Sequence, residues 1–299
     1  MTDARRVTGP QTVVIDDGVA RVAIDAVGAE LQSLRRLDSD IEYLWQAEPA
    51  IWPRRAPWLF PIVGRLRGDT YTWKGNTYHL PQHGFARDRG FRVAGTDRAS
   101  ASFVLMDDAS TRAAFPFAFE LTISYRMEGG SLAISCEVAN PGPEVLPFSF
   151  GAHPGFRCPL VAGESFSDYE VAFDRPETSD RWLVDDGLIG AVREPVLRNQ
   201  QVLPLTEGLF GRGALVFKDL RSERVRLQSR TSGRGVKLEL PGFPTFGIWS
   251  KAPGAFVCLE PWCGIADPVD ASGRLEDKEG IIFLPPGGTF ERRLAVRPF

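Results

Sequence analysis

Short segments in which apolar and polar residues alternate are the dominant pattern along this chain. The clearest pair lies at 121–127 and 132–138, where every second residue is apolar, with Glu128-Gly129-Gly130 between the two segments. Alternation with a period of two is typical of a half-buried strand, and glycines between two such runs are typical of a tight turn. The pattern therefore predicts a β-hairpin over 121–138.

Two more strand–turn–strand patterns lie downstream, at 225–228, 232–235 and 236–240, and at 281–284, 285–288 and 290–296. The sequence gives little support for helices, because no window keeps an apolar stripe of helical period for more than about two turns. Glycine (30 residues) and proline (23 residues) separate many short segments. Successive strands with Gly/Pro turns predict an all-β fold, a large antiparallel β-sandwich. No repeat or linker divides the sequence, so we expect a single domain over residues 1–299.

The composition is that of an ordinary soluble globular protein, with 43% hydrophobic and 24% charged residues. The formal net charge of −3 argues against nucleic acid as a partner and gives no attraction to anionic membranes. No stretch approaches the roughly 18 apolar residues that a membrane span needs. Residues 1–14 hold no apolar core of signal-peptide length. The sequence is silent on the oligomeric state.

Four cysteines are spread along the second half of the chain, at Cys136, Cys158, Cys258 and Cys263. No Cys-x-x-Cys pair is present, and no histidine is spaced to complete a zinc site. The pattern is typical of reduced thiols. We therefore expect a cytoplasmic protein without a structural metal.

A first candidate for chemistry is His153, which lies in Gly151-Ala152-His153-Pro154-Gly155 among phenylalanines. Pro154 restricts the backbone before it to extended conformations, and the two glycines allow close approach of another group. A partly desolvated imidazole has a lowered pKa unless an anion is nearby, and it can exchange protons near neutral pH. The alternative is a core histidine that is hydrogen-bonded to a backbone carbonyl.

A second candidate is Glu260, which follows the apolar run 255–259. In a strand of period two it shares a face with Cys258 and Phe256, a pattern that points inward. A buried carboxylate either pairs with a cation or has a shifted pKa suited to a general base. The alternative is a structural ion pair. Trp262 beside it either stacks on a sugar ring or belongs to the core.

Further polar candidates lie in two loop-like segments and at one strand end. Arg65 and Arg67 follow an apolar run, and His83 and Arg87 lie in Pro81-Gln82-His83-Gly84-Phe85-Ala86-Arg87. Arginine forks suit hydroxyl or phosphate oxygens, and the alternative is a solvated loop. Asp219 ends the apolar run 215–217 and either bonds a ligand hydroxyl or caps a turn.

Phosphate-binding and serine-nucleophile motifs are absent from the sequence. The chain holds no Gly-x-x-x-x-Gly-Lys-Ser/Thr loop, no Gly-x-Gly-x-x-Gly after a strand and no Gly-x-Ser-x-Gly elbow. These absences leave a cofactor-free proton-transfer enzyme and a pure binding module as the two open classes.

Four separated segments together resemble the aldose 1-epimerase (galactose mutarotase-like) family. They are, in order, 64–84 with Gly64-Arg65 and His83-Gly84, 151–156, Leu259-Glu260-Pro261, and 284–290. The resemblance implies a β-sandwich of the mutarotase (supersandwich) type that binds sugar in an open cleft without a cofactor. It implies that His153 is the catalytic acid and Glu260 the base, that Arg65 and His83 hold the sugar, and that Asp219 does so too.

The implied activity is the interconversion of α and β anomers of an aldose by ring opening and closure. His83-Gly84-Phe85 stands where many free-sugar mutarotases have His-Gly-Gly, and the run 80–87 is closer to the hexose-6-phosphate epimerase branch. A hexose-6-phosphate 1-epimerase that uses Arg65, Arg67 and Arg87 is therefore an alternative. It requires several of these arginines to converge on one anion. A non-catalytic carbohydrate-binding or sensor domain is another alternative.

Overall fold

The computed structural model describes residues 11–299, of which about 52% lie in strands and 6% in helices. The strands, β1 to β22, are Thr12–Asp16, Ala20–Asp25, Glu30–Arg36, Trp58–Leu59, Thr70–Trp73, Asn76–His79, Arg92–Thr96, Ser100–Met106, Glu120–Glu128, Ser131–Ala139, Leu146–Phe148, Phe150–Ala152, Gly155–Arg157, Tyr169–Asp185, Leu188–Pro204, Leu215–Phe217, Arg224–Ser229, Gly235–Glu239, Thr245–Trp249, Phe256–Cys263, Ile282–Leu284 and Thr289–Pro298. The α-helix α1 spans Ala109–Ala114. Four 3₁₀ turns span Arg67–Asp69, Ala86–Asp88, Phe166–Asp168 and Leu275–Asp277.

Fifteen strands form one large antiparallel sheet, which confirms the predicted all-β sandwich class. Its order is β4-β12-β20-β19-β16-β14-β17-β18-β22-β10-β9-β8-β7, with β13 added beside β20 and β15 beside β14. Smaller sheets are formed by β1-β2-β3, β5-β6 and β11-β21. Residues 1–10 lie outside the described part, and so does most of the segment on which the expectation about a targeting sequence rests.

The first two predicted hairpins are confirmed. Strands β9 and β10 pair from Glu128 opposite Ser131, and both turn glycines have positive φ, 57° at Gly129 and 77° at Gly130. Two consecutive left-handed residues make the turn type whose twist matches that of the strands it joins. Strands β17 and β18 pair in the same way, with Val225 opposite Leu238.

The third strand–turn–strand pattern forms two strands but not a hairpin, so that part of the prediction is wrong. Strand β21 pairs with β11, while β22 pairs with β10 and β18. The run 281–284 is continuously apolar and 290–296 alternates only in part, and the choice of partner for each strand depends on strands distant in sequence.

Four neighbouring strands of the large sheet, β12, β20, β19 and β16, carry the site described below. Every residue of β20 is buried, so both faces of this strand are covered. The longest strands, β14 and β15, form a hairpin whose turn at Asp186-Gly187 reaches the same region.

The four cysteines are all buried free thiols, as the sequence predicted. Among residues 11–299, no helix is long and apolar enough to cross a membrane.

Candidate active site

A cavity of about 380 Å³ opens where β12, β19, β20 and the β14–β15 turn meet. Small-molecule sites typically enclose about 300–1,000 Å³. Aromatic, polar and small side chains line it: Trp52, Pro57, Gly64, Gln82, His83, Arg87, His153, Val184, Gly187, Ile189, Gly213, Ala214, Val216, Trp249, Glu260, Trp262, Ile265 and Ala266. Five residues predicted from the sequence are among them: His83, Arg87, His153, Glu260 and Trp262.

His153 lies in the short connection between β12 and β13, held by backbone hydrogen bonds on both sides. Its N–H donates to Pro57 O over 3.0 Å, and the next carbonyl, of Pro154, accepts from Leu259 N over 3.1 Å. Leu259 is the neighbour of Glu260 on β20. The backbone therefore fixes the imidazole beside the carboxylate.

The two glycines around His153 allow the close approach that the sequence predicted. A Cβ on Gly151 would lie 2.7 Å from the indole of Trp262, and a Cβ on Gly155 would lie 2.6 Å from the indole of Trp52. Trp52 stacks on the imidazole of His153, with ring centroids 5.0 Å apart. The Trp52 indole therefore covers one face of the imidazole.

The structure brings His153 and Glu260 together. Glu260 lies on β20 opposite Gly247 of β19, and its Oε2 is 3.0 Å from His153 Nε2. The two atoms are close but not aligned for a hydrogen bond, since Glu260 Oε2 is a buried atom without such a partner among residues 11–299. The pair is accessible only through the cavity, because the two residues are 9% and 2% exposed.

Burial disfavours the charged form of each member of this pair. It lowers the pKa of His153 to about 3 and raises the pKa of Glu260 well above its ordinary value. Attraction across 3.0 Å opposes both effects, so the two groups titrate as one unit. The state with a single proton on the pair carries no net charge, and it is the form that a buried site favours.

His83 presents a neutral imidazole to the same cavity. Its Nδ1 accepts a hydrogen bond from the Gly64 N–H over 3.1 Å, which requires the proton of the neutral ring to be on Nε2. Burial lowers the pKa of His83 well below its usual value. The ring meets that of His153 edge to face, with centroids 5.7 Å apart. His83 is therefore a hydrogen-bond donor.

Trp262 forms an apolar wall with a polar edge. Its indole packs against two glycines, since a Cβ on Gly151 or on Gly247 would lie 2.7 Å or 2.8 Å from the ring. Within the described chain, its buried Nε1 has no hydrogen-bond partner. A wall of this kind can cover the C–H face of a sugar while Nε1 donates to a hydroxyl.

Arg87 is the cation that lines the cavity. Its Nη2 donates to Gln82 O over 2.6 Å, while its buried Nε has no hydrogen-bond partner in the described part of the chain and lies 3.8 Å from the carboxylate of Asp88. Burial lowers the pKa of Arg87 to about 10, so it stays charged at neutral pH.

Arg65 and Asp219 do not line the cavity, although the sequence predicted that both would hold the substrate. Asp69 engages the guanidinium of Arg65 through two hydrogen bonds, of 2.9 Å and 3.0 Å, and Asp186 accepts a third. Asp219 is exposed beyond the end of β16 and accepts from Ser179 Oγ over 2.6 Å. Both side chains already have partners within the fold, whereas the alternatives from the sequence were a solvated loop for Arg65 and a turn cap for Asp219.

Three of the aromatic and polar lining residues were not chosen from the sequence. Trp52 lies in a Pro-rich segment, Gln82 precedes His83, and Trp249 ends β19. Trp249 meets the His153 ring edge to face at 5.8 Å. A tryptophan beside a proline in a loop was the signal available for Trp52, because such a ring has few ways to be fully buried.

Unpartnered buried polar atoms are concentrated at this cavity. Among residues 11–299, eight buried side-chain nitrogen or oxygen atoms lack a hydrogen-bond partner, and half belong to lining residues: Arg87 Nε, His153 Nδ1, Glu260 Oε2 and Trp262 Nε1. Buried polar groups in folded proteins are normally hydrogen-bonded, so each exception requires a reason. All four atoms belong to residues that line the cavity.

The fold and this site define a protein of the mutarotase-like class. The profile of the aldose 1-epimerase family matches residues 11–296, and the chain belongs to that family. The chain is 33% identical to the protein LacX of Lactococcus lactis subsp. lactis, over 94% of this chain and 97% of that protein.

Two solved structures share the fold closely. A galactose mutarotase related enzyme from Lactobacillus acidophilus superposes with a TM-score of 0.93 at 37% identity, over 97% of each chain. A galactose mutarotase-like protein from Lactobacillus casei gives a TM-score of 0.91 at 28% identity, over 97% of this chain and 100% of that one.

Proposed function

We propose that this protein is an aldose 1-epimerase that interconverts the α and β anomers of a sugar, with His153 and Glu260 as the acid/base pair. The observation that supports it most is the 3.0 Å approach of His153 Nε2 to Glu260 Oε2 inside a cavity of about 380 Å³. Acid and base act on two oxygens that are bonded to the same carbon, so the two groups must be close together.

Burial by itself places the shared proton on Glu260, so the reaction first requires its transfer across 3.0 Å to His153. Glu260 then removes the proton from the C1 hydroxyl. His153, as the imidazolium, protonates the ring oxygen, and the C1–O5 bond breaks to give the open-chain aldehyde. Rotation about C1–C2 presents the other face of the carbonyl. Closure reverses both transfers and leaves the pair with the same single proton. Each positioned transfer typically contributes about 10²–10⁴ in rate.

The remaining lining groups hold the sugar in this scheme. His83 Nε2 and Trp262 Nε1 donate to hydroxyls, and the indole of Trp262 covers an apolar face of the ring. Arg65 and Asp219 have no part in it, because their polar atoms are engaged elsewhere. No cofactor takes part, and we propose that residues 1–299 act as one domain in the cytoplasm, where four free thiols persist.

The test is anomer exchange, followed by NMR over a panel of free hexoses, pentoses and their 6-phosphates. His153→Asn and Glu260→Gln should each lower kcat by at least about 100-fold on the active sugar. Glu177→Gln and His79→Asn are the matched controls. Glu177 is also buried but accepts from Arg221 N and Ser222 N, away from the cavity. Wild-type kcat in either folded catalytic variant would remove that residue from the mechanism.

A sugar-phosphate 1-epimerase is the second candidate, and Arg87 is the observation in its favour. The convergence of three arginines that this activity was expected to need is not found, since Arg65 is engaged with Asp69 and Arg67 Nη1 donates to Ala271 O. The variant Arg87→Met distinguishes the free-sugar epimerase from the sugar-phosphate epimerase. A rise in KM for a 6-phosphate that leaves the free sugar unaffected selects the phosphate activity.

A non-catalytic carbohydrate sensor is the third possibility raised by the sequence. It predicts that a sugar binds and protects the protein against thermal unfolding while anomer exchange proceeds at the solvent rate. The 3.0 Å approach of His153 Nε2 to Glu260 Oε2 argues against a sensor. Sugar binding alone does not require a buried acid next to a buried base.

A further inference from the structure

A thiol lies beside the proposed acid/base pair. Cys258 precedes Glu260 by two residues on β20, so both side chains lie on one face of the strand. One ligand atom each from His153, Cys258 and Glu260 can be chosen so that all three lie within 4.8 Å of one another. The acid/base chemistry does not use Cys258, whose side chain packs with Trp45 and Phe256 in a small core cluster next to the pair.

We propose that His153, Cys258 and Glu260 form a binding site for a thiophilic divalent cation such as Zn²⁺, which inhibits the enzyme by occupying its acid/base pair. Nitrogen, sulfur and carboxylate oxygen are the ligands that zinc takes in proteins. His153 and Glu260 line the cavity and Cys258 lies behind them, so a fourth position on the cavity side is open to a water or a small molecule, as in zinc sites with three protein ligands.

The distances fit a tetrahedral ion after small side-chain movements. Zinc bonds of about 2.0–2.3 Å place two ligands of a tetrahedron about 3.3–3.7 Å apart. His153 Nε2 and Glu260 Oε2 are already 3.0 Å apart. The widest separation in the group, 4.8 Å or less, must close by about 1 Å, which a rotation of the Glu260 or Cys258 side chain can supply.

The charge balance suits a buried position. All three residues are buried. One thiolate and one carboxylate together cancel the two positive charges of the ion, so the occupied site is neutral. Glu260 Oε2 has no hydrogen-bond partner within residues 11–299, so the ion displaces no hydrogen bond there.

Binding must release two protons. Burial raises the pKa of Cys258 well above its ordinary value, so the metal-free thiol keeps its proton. The histidine–glutamate pair holds one more proton in its neutral state. Both leave when Zn²⁺ binds thiolate, neutral imidazole and carboxylate, and affinity therefore increases with pH. Hard cations such as Mg²⁺ prefer oxygen ligands and do not take this site.

Metal binding is tested by calorimetric titration of the full chain with Zn²⁺, in two buffers of different ionisation enthalpy. We expect one ion bound and about two protons released. Cys258→Ser should weaken binding by more than about 100-fold, the upper limit for loss of groups that only support a ligand. Cys158→Ser, which removes an equally buried thiol away from the pair, is the matched control. Mg²⁺ should give no binding.

A spectroscopic measurement adds a direct readout of the thiolate. Co²⁺ in place of Zn²⁺ should give a thiolate-to-cobalt charge-transfer band that Cys258→Ser abolishes and Cys158→Ser retains. Cys258→Ala replaces Cys258→Ser if the serine variant does not fold. Absence of Zn²⁺ binding by the wild type, or equal Zn²⁺ affinity in the wild type and the folded Cys258 variants, would overturn the proposal.

The inhibition rests on the proposed epimerase function, whereas the binding does not. Zn²⁺ should inhibit wild-type anomer exchange, EDTA should restore it, and the Cys258 variants should keep their own metal-free rates when Zn²⁺ is added. If binding depends on Cys258 but no sugar on the panel is turned over, the metal site stands and the enzymatic proposal fails. If exchange is rapid and Zn²⁺ neither binds nor inhibits, the metal site fails alone.

Discussion

Gly64 and His83 are joined by two hydrogen bonds that run in opposite directions. The N–H of His83 donates to Gly64 O over 2.8 Å, and the N–H of Gly64 donates to His83 Nδ1 over 3.1 Å. His83 has a φ of 68°, in the left-handed region that non-glycine residues seldom adopt. Strain of this kind occurs most often at functional sites. The contact fixes both the orientation and the tautomer of the imidazole.

His83→Asn and His83→Val should therefore separate binding from stability. Both remove the Nε2 donor, and we expect each to lower kcat/KM by about 2- to 13-fold, the equivalent of one hydrogen bond. Asparagine tolerates the left-handed region, whereas a β-branched side chain there costs about 1–2 kcal/mol more. Urea unfolding and NMR exchange measure the two effects. Equal stability of the two variants would contradict the strain, and unchanged kcat/KM would remove His83 from substrate binding.

Gly247→Ala tests the placement of Trp262. The new Cβ would lie 2.8 Å from the indole and 3.3 Å from Glu260 Cβ, so the ring must shift and the glutamate is crowded as well. Such overpacking typically costs about 1–3 kcal/mol, and we expect KM to rise with it. Gly95→Ala is the control, because nothing lies within 4 Å of its added Cβ. If Gly247→Ala is as stable and as active as Gly95→Ala, close packing on Gly247 does not determine where the indole lies.

Tyr125→Phe should lower stability without changing catalysis. Trp58 Nε1 donates to the Tyr125 hydroxyl over 2.8 Å, and that hydroxyl donates to Ala29 O in the buried core. Removing the hydroxyl leaves Trp58 Nε1 and Ala29 O without a hydrogen-bond partner. We expect this to lower the free energy of unfolding by about 1–3 kcal/mol. Tyr71→Phe loses a single bond to Ala114 O and should cost less. A fall in kcat for folded Tyr125→Phe would show that the core couples to the site.

Local patterns predicted much of the fold, and failed where partners are distant in sequence. The hairpin β9–β10 follows from alternation and two glycines, all within twenty residues. The apolar run at β21 and the turn before β22 could not show that β21 would pair with β11 in a sheet of its own. Strand β11 lies more than 130 residues earlier in the chain, and no local window contains both strands.

The site shows the same limit at the level of single side chains. His153 and Glu260 were found because a titratable residue among apolar and Gly/Pro neighbours is unusual wherever the chain folds. Arg65 was chosen for its charge, but Asp186, at the tip of a long hairpin, and Asp69 bind its guanidinium. A polar side chain can bind a ligand only if other residues of the fold leave its polar atoms free, and the sequence around it does not show those residues.

The coupled pair of His153 and Glu260 predicts the pH dependence of exchange. An exposed glutamate and histidine acting as base and acid would be active between their ordinary pKa values, about 4.3 and 6.5. Burial opposes both the doubly protonated pair, which is positive, and the fully deprotonated pair, which is negative. The lower limit should therefore fall below about 4.3, and the upper limit should rise above about 6.5.

We expect kcat/KM to stay level from about pH 5 to well above pH 6.5 and to fall only beyond it. The measurement is NMR anomer exchange across pH, with circular dichroism at each point to exclude unfolding and the uncatalysed rate subtracted. Cys158→Ser should reproduce the wild-type profile, because its thiol is away from the pair. A profile that declines from about pH 6.5, as for a free imidazole, would mean that the two groups titrate separately, and the shared single proton would then have no part in the mechanism.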